Sequence, residues 1–144
     1  MNKYALIIIA LVVIVAGGIV YKSFFVAEVD KPISTGIVRE ITITARENSW
    51  LWDPPEFEAN QGDTLKMTIV NEDEYDHGFA IDAFGVSQRV PAKATITVEF
   101  VATQPGEFPY YCSVPCGEGE VNGVKRGHFD QVGKMKVRSA VRTQ

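Results

Sequence analysis

Cysteine and histidine are both scarce in this sequence, which has two of each among its 144 residues. Two cysteines are too few for the disulfide framework that holds small secreted domains together. Positive charge is not in excess either: the net charge is -4, which argues against nucleic acid as a partner because binding phosphates requires a basic surface. The length is enough for one domain with a hydrophobic core and short for two.

Charged residues are absent between Lys3 and Lys22, where the sequence reads YALIIIALVVIVAGGIVY. As a helix this run would be about 27 Å long, close to the roughly 30 Å hydrocarbon core of a bilayer. It predicts a single transmembrane anchor over residues 4–22, with a cleaved secretory signal as the alternative. The charges that flank the run favour a domain on the outer, periplasmic or extracellular, face of the membrane. A linker is predicted over residues 23–36.

Short stretches of alternating apolar and polar residues follow the linker, beginning with REITITAR at residues 39–46. Further strands are predicted near residues 65–69, 79–81, 95–101, 107–111 and 133–137, separated by Gly, Pro and Asn turns. This pattern predicts an all-β fold, an antiparallel sandwich over residues 37–139, with a tail at residues 140–144. Because the loops of a sandwich gather at its ends, residues far apart in sequence can meet there.

Both cysteines lie in one stretch, Tyr110 to Val137, which reads YYCSVPCGEGEVNGVKRGHFDQVGKMKV. Cys112 and Cys116 are four residues apart, and His128 and Gln131 follow as a His-x-x-Gln pair. Thiolate and imidazole donors together suit copper, zinc or iron, so the stretch predicts a transition-metal site. A disulfide and a zinc site with two cysteine and two histidine ligands are alternatives, although the cysteine spacing is unlike that of usual zinc sites.

The segment CSVPCGEG, followed by a histidine and a Gly-x-x-x-Val ending, resembles the metal loop of the CuA-type cupredoxin domain. That domain occurs in subunit II of haem-copper oxidases such as cytochrome c oxidase, and in nitrous-oxide reductase. His77, in DHGFAIDAF, matches the family's earlier histidine. Two departures stand out: residues 120–127 (EVNGVKRG) are inserted before His128, and Gln131 occupies the family's methionine position, with Met135 as the other axial candidate.

The resemblance implies a cupredoxin-like Greek-key β-sandwich with two copper ions bridged by Cys112 and Cys116. His77 and His128 would each cap one copper. The side chain of Gln131 would lie near one ion and the backbone carbonyl of Val114 near the other, and this centre would carry single electrons. We designate this set as the predicted metal site: His77, Cys112, Val114, Cys116, His128 and Gln131.

The resemblance also implies a membrane-anchored electron-transfer unit that has no catalytic site of its own. It would accept electrons from a basic c-type cytochrome or a similar donor and pass them to the catalytic subunit of a haem-copper oxidase. If the insertion holds His128 away from the cysteines, the site becomes mononuclear, as in blue copper proteins or nitrosocyanin, which GFAIDAFGV resembles. A copper delivery or storage protein and a structural sandwich closed by a disulfide are further alternatives.

Acidic side chains precede His77 and surround the second loop. As a docking surface they would attract a basic donor, and the alternative is an ordinary solvated face. Trp50 and Trp52 are predicted to pack in the core, with a role in accepting incoming electrons as the alternative. The acidic residues concerned are Glu72, Asp73, Glu74, Asp76, Glu118, Glu120 and Asp130.

Overall fold

A single helix precedes the β domain. The computed structural model describes residues 3–24 and 36–140 and separates the chain into two compact units, Met1–Pro32 and Ile33–Gln144. In the first unit, helix α1 (Lys3–Phe24) contains the predicted anchor; its Tyr4–Tyr21 segment is long and apolar enough to cross a membrane, a test that an N-terminal signal sequence also passes. Most of the predicted linker (residues 25–35) and tail (residues 141–144) lies outside the described residues.

Short strands make up most of the second unit, and they confirm the predicted all-β fold. Their bounds are β1 (Val38–Ala45), β2 (Trp52–Asp53), β3 (Glu56–Asn60), β4 (Thr64–Asn71), β5 (His77–Ile81), β6 (Val86–Val90), β7 (Thr95–Val101), β8 (Gly106–Tyr111), β9 (Glu118–Val121), β10 (Val124–Gly127) and β11 (Val132–Arg138). Two single 3₁₀ turns, Asp82–Phe84 and His128–Asp130, follow β5 and β10.

Two sheets form the sandwich, one in the order β2-β1-β4-β7 and the other in the order β3-β11-β8-β5-β6. Strands β9 and β10 pair only with each other, as a separate hairpin. The expectation of a purely antiparallel sandwich was wrong, because β1 pairs with β4 in parallel and β3 pairs with β11 in parallel. Parallel neighbours need a long crossover connection, and the chain supplies one between β1 and β4 by placing β3 in the other sheet.

Alternating apolar side chains from both sheets fill the space between them. In β4, Leu65, Met67 and Ile69 all have 0% exposure, while the residues between them reach the surface. Phe79 of β5 and Tyr110 of β8 meet this cluster from the other sheet, with their ring centroids 5.7 Å apart. Burial of such side chains is worth about 1.5–3 kcal/mol each, so this layer is the main source of stability.

One end of the five-stranded sheet collects the segments that carry the predicted metal site. Strand β8 runs antiparallel to both β5 and β11. The end of β8 at Tyr111 therefore lies beside the start of β11 at Val132 and close to the start of β5 at His77. Because Cys112 directly follows β8 and Gln131 directly precedes β11, the topology brings the predicted ligands together before any loop detail is considered.

Candidate metal centre

The two cysteines face each other across a short loop. Their Sγ atoms are 3.6 Å apart, both residues are free, and both side chains are buried. The backbone N–H of Cys112 donates to the carbonyl oxygen of Gln131 at 3.0 Å, which continues the β8–β11 pairing into the loop. Gly117 has φ 84, a left-handed conformation that glycine adopts without strain, and it turns the chain away below Cys116. The loop therefore presents both sulfurs from one side.

His77 lies on the Cys112 side of this sulfur pair. Its Nδ1 atom is 3.7 Å from Sγ of Cys112, and its ring has 0% exposure. The next backbone N–H, that of Gly78, donates to the same sulfur at 3.4 Å. One nitrogen of His77 and the two cysteine sulfurs all lie within 4.8 Å of one another, a spacing at which they could hold a metal ion.

His128 lies on the Cys116 side, and the inserted residues return it there instead of holding it away. They belong to the β9–β10 hairpin, whose turn residues Asn122 and Gly123 both have positive φ, 51° and 78°, as a tight two-residue hairpin turn requires. The backbone N–H of His128 then donates to the carbonyl oxygen of Gly117 at 3.0 Å. Nδ1 of His128 is 3.7 Å from Sγ of Cys116, so the predicted set closes around both sulfurs.

Gln131 faces the sulfurs as well. The 3₁₀ turn that begins at His128 places side chains three residues apart on one side, which aligns Gln131 with the histidine. Oε1 of Gln131 is 3.5 Å from Sγ of Cys116, and the carbonyl oxygen of Val114 is 3.1 Å from Sγ of Cys112. Met135, the other axial candidate, points into the hydrophobic core from β11 with 0% exposure.

Two tryptophans support the site from below. Nε1 of Trp50 donates to the carbonyl oxygen of Cys116 at 3.2 Å, and Nε1 of Trp52 donates to the carbonyl oxygen of Gln131 at 3.1 Å. Trp52 also packs against His77, with ring centroids 6.2 Å apart. Both indoles are buried, as the sequence predicted, but the sequence did not indicate that each fixes a loop carbonyl beside a candidate ligand.

Two glycines, Gly78 and Gly119, allow close packing around the cysteine loop and Trp50. A Cβ atom on Gly78 would lie 2.2 Å from Oγ of Ser113 and 2.9 Å from the backbone nitrogens of Ser113 and Val114. A Cβ atom on Gly119 would lie 2.3 Å from the indole ring of Trp50. These glycines let β5 and the hairpin approach the cysteine loop closely, a role that the sequence analysis missed.

Electrostatics within the site favour one thiolate. The hydrogen bond between the two cysteines is the main cause that lowers the pKa of the Cys112 thiol. The same hydrogen bond, together with burial, raises the pKa of the Cys116 thiol. Burial lowers the pKa of His77, but its interactions with Cys112 and Asp73 outweigh burial and leave the pKa raised. A metal cation would replace the protons that these groups otherwise share.

Most of the acidic residues near the site are already neutralised by ion pairs. Asp73 is different: it is buried at 1% exposure, and its Oδ2 lies 2.9 Å from Nε2 of His77. In the sequence, the only sign of this pairing is the spacing of four residues between Asp73 and His77. The ion pairs are Glu72 with Arg46, Glu74 with Lys93, Asp76 with Arg89 and Glu118 with Lys125.

The donor chemistry of the site fits copper. Two sulfurs, two imidazole nitrogens, an amide oxygen and a carbonyl oxygen converge, and soft sulfur with imidazole is a combination that copper prefers. The amide of Gln131 has an unsatisfied hydrogen-bonding group. Its side chain is fully buried, yet Nε2 has no hydrogen-bond partner within the described chain. Such a buried amide costs about 1–3 kcal/mol, which is unusual unless its oxygen has a role.

A β-sandwich with sulfur and imidazole donors gathered at one end defines an all-β domain with a candidate metal site. The chain belongs to the family of cupredoxin-like domains, whose sequence model matches residues 10–121.

Among characterised proteins, the chain is 36% identical over 88 residues to the nitrous-oxide reductase of Stutzerimonas stutzeri. That match covers 59% of this chain and 12% of the reductase, and related reductases match over 14–15% of their length. The chain therefore corresponds to a small part of these relatives.

Two solved structures extend the likeness of the fold. A chain of a haem-copper terminal oxidase dimer superposes with a TM-score of 0.58 at 18% identity, covering 94% of this chain and 99% of that one. Auracyanin A, a blue copper protein from Chloroflexus aurantiacus, superposes with a TM-score of 0.56 at 17% identity, covering 70% of this chain and 99% of auracyanin. The fold is thus shared both with a blue copper protein and with a chain of a haem-copper oxidase.

Proposed function

We propose that this chain is a membrane-anchored electron-transfer protein with a dinuclear, CuA-type copper centre. It accepts single electrons from a soluble or membrane-bound donor and passes them to the catalytic subunit of a haem-copper oxidase. The copper domain stands on the outer face of the membrane, and the chain catalyses no bond chemistry itself.

The observation that carries this proposal is the symmetry of the donors. Two sulfurs lie 3.6 Å apart, and each has one imidazole nitrogen at 3.7 Å on its outer side. A mononuclear blue site needs one thiolate, so the second cysteine would have no role there. The Cys112–Cys116 pair with a histidine on either flank instead provides a place for copper on each side of the sulfur pair.

Electron transfer requires that the ligands move little when the charge changes, and this chain holds them firmly. Cys112 and Gln131 are joined by a backbone hydrogen bond, and Trp50 and Trp52 fix the carbonyls of Cys116 and Gln131. Bound copper would supply the redox change, shared across two thiolates. The protein supplies a buried, preorganised cage around it.

Membrane attachment and an oxidase partner have separate support. Helix α1 supplies a segment of sufficient length and hydrophobicity for a single-pass anchor. The likeness to a haem-copper oxidase chain extends over 94% of this sequence, although at 18% identity it concerns the fold alone.

The donor would dock at the His128 side of the centre. His77 is enclosed, whereas His128 is partly exposed and lies next to Phe129, whose side chain is 90% exposed. Exposed aromatic residues often anchor protein interfaces. A basic c-type cytochrome remains the donor that we propose, with most of its contact made through apolar groups because most of the acidic side chains nearby are ion-paired.

Copper loading of the full-length chain in detergent tests the function. We expect two copper ions per chain and an electron paramagnetic resonance spectrum with hyperfine splitting from one electron shared by two copper nuclei. Cys116→Ser should reduce the stoichiometry to one copper and give a mononuclear spectrum, while Ser113→Ala in the same loop should leave both unchanged.

Other results would identify the alternatives. One copper per wild-type chain with strong visible absorption would indicate a mononuclear electron-transfer site. A single, colourless and readily exchanged Cu(I) would indicate delivery or storage. No copper binding by the reduced chain would leave a structural sandwich, and the proposed function would be wrong.

A further inference from the structure

Asp73 contacts a candidate ligand from behind. Its Oδ2 lies 2.9 Å from Nε2 of His77, whereas Nδ1 of the same ring faces Sγ of Cys112. An ionised carboxylate can only accept hydrogen bonds, so the ring proton belongs on Nε2. The lone pair of Nδ1 is then directed towards the sulfurs, which is the tautomer that metal binding requires.

Asp73 is itself fixed by the backbone N–H groups of Asn48 and Lys93 and by the side chain of Asn71. The N–H of Asn48 donates to its Oδ1 at 2.5 Å, and the N–H of Lys93 donates to its carbonyl oxygen at 3.0 Å. Its own N–H donates to the side-chain oxygen of Asn71 at 2.9 Å. Because both its side chain and its backbone are held, Asp73 can resist rotation of the His77 ring.

His128 has no equivalent support. Within residues 36–140, no carboxylate hydrogen-bonds to its ring, and the nearby Asp130 accepts instead from the backbone N–H of Gly127 at 2.7 Å. Its ring is partly exposed and packs against the solvent-exposed side chain of Phe129, with ring centroids 5.0 Å apart. The two imidazoles therefore differ in both burial and hydrogen bonding.

We propose that Asp73 is a positioning residue that makes the two halves of the metal centre unequal. It fixes His77 as the permanent, more strongly donating ligand and leaves His128 as the adaptable one. This inference rests on the copper ligands proposed above. A carboxylate behind a metal-bound histidine raises the basicity of the ring, and losing such a partner typically weakens metal binding by about 10–100-fold.

Three variants of the full-length chain separate orientation from charge. Asp73→Asn removes the charge and leaves one acceptor oxygen in place of two, so we expect a smaller loss of copper affinity than for Asp73→Ala, together with a rise in the reduction potential. Asp73→Ala removes the contact, so we expect copper affinity to fall by about 10–100-fold. Glu74→Gln is the matched control, because Glu74 loses the same charge from the same loop but is 73% exposed and paired with Lys93. Neither the copper affinity nor the reduction potential of the Glu74→Gln variant should change.

The metal-free protein gives an independent measurement. In wild type we expect the Nε2 proton of His77 to give a slowly exchanging, downfield proton resonance, and Asp73→Ala should lose it. If that resonance is absent in wild type, or if Asp73→Asn has the wild-type reduction potential, the positioning role is wrong. Failure of the wild-type chain to bind copper would overturn the proposed function, while the proton resonance would still decide how Asp73 acts on His77.

Discussion

The two halves of the metal centre are built from different kinds of structure. His77 begins β5, which lies between β8 and β6 in the five-stranded sheet, and its ring is fully enclosed. His128 follows a hairpin that pairs with neither sheet, and its ring is partly exposed. The same sulfur-to-nitrogen distance, 3.7 Å, is thus reached once by a packed sheet and once by a surface hairpin.

Two kinds of supporting structure let one site satisfy two demands. A buried half supported by a sheet and by Asp73 gives the constant geometry that rapid electron transfer requires. A half on the surface gives the access that a docking partner and an incoming metal ion require. We expect changes that displace the buried half to have the larger effect on the site, and changes in the exposed half to remove at most the copper beside His128 or to change only how the site is used.

Gly78→Ala should have the largest effect. The added methyl group would clash with Oγ of Ser113 and with the backbone of Ser113 and Val114, so the cysteine loop would have to move. Overpacking of this kind costs about 1–3 kcal/mol. We expect that loss in urea unfolding of the metal-free protein, together with loss of copper binding. Ser87→Ala, an exposed change on the adjacent β6, is the control, and a wild-type copper spectrum from Gly78→Ala would contradict the close packing.

Shortening the hairpin should have an intermediate effect that depends on register. Removing residues 120, 121, 124 and 125 deletes two complete cross-strand pairs and keeps the Asn122–Gly123 turn, so His128 should stay beside Cys116. Removing residues 124–127 deletes the same number of residues but takes away the whole returning strand.

Copper stoichiometry distinguishes the two deletions. The paired deletion should retain two copper ions and lose about 1 kcal/mol from the packing of Val121. The single-strand deletion should lose the copper capped by His128 while the His77 half still binds one. Equal behaviour of the two deletions would mean that the hairpin does not position His128.

The family resemblance implied the ligand set, and the structure brings its members to one end of the sandwich, with donor-to-sulfur distances of 3.1–3.7 Å. Copper binding by these residues stays a prediction. Alternation predicted most strands, and the topology of β5, β8 and β11 explains why their ends meet. The parallel pairings of β1 with β4 and β3 with β11 were missed, because alternation reports which face of a strand is buried but not the direction of its neighbour.

The support around the ligands was harder to predict. Asp73 is one of several acidic residues in a short run, and only its burial separates it from its solvated neighbours. Gly78 and Gly119 carry no side chain, so their role exists only as the space they leave. The effect of the insertion depends on whether Asn122–Gly123 closes a hairpin in register. The sequence does not decide this, so it leaves open whether His128 returns to the cysteines.

Phe129→Ala should have the smallest effect on the protein itself and a selective effect on its use. The ring is 90% exposed, so its loss removes little buried surface, and we expect stability to change by less than about 0.5 kcal/mol with copper content unchanged. If Phe129 anchors the donor, the rate of electron transfer from a reduced basic c-type cytochrome should fall by about fivefold or more, corresponding to an interface anchor worth over about 1 kcal/mol.

The control and the salt dependence decide what kind of docking surface this is. Val38→Ala is the control, because it removes another exposed apolar side chain, 59% exposed. Val38 begins β1 and pairs with Thr64, at the end of the sheet opposite to Asn71 and the loop that leads to His77. This variant should leave the rate unchanged. Because Glu72, Glu74 and Glu118 are ion-paired, the wild-type rate should depend only weakly on ionic strength. A steep fall in the rate with added salt, together with an unaffected rate for Phe129→Ala, would instead mean that the donor docks through charged groups. Phe129 and the exposed half would then have no special role in docking.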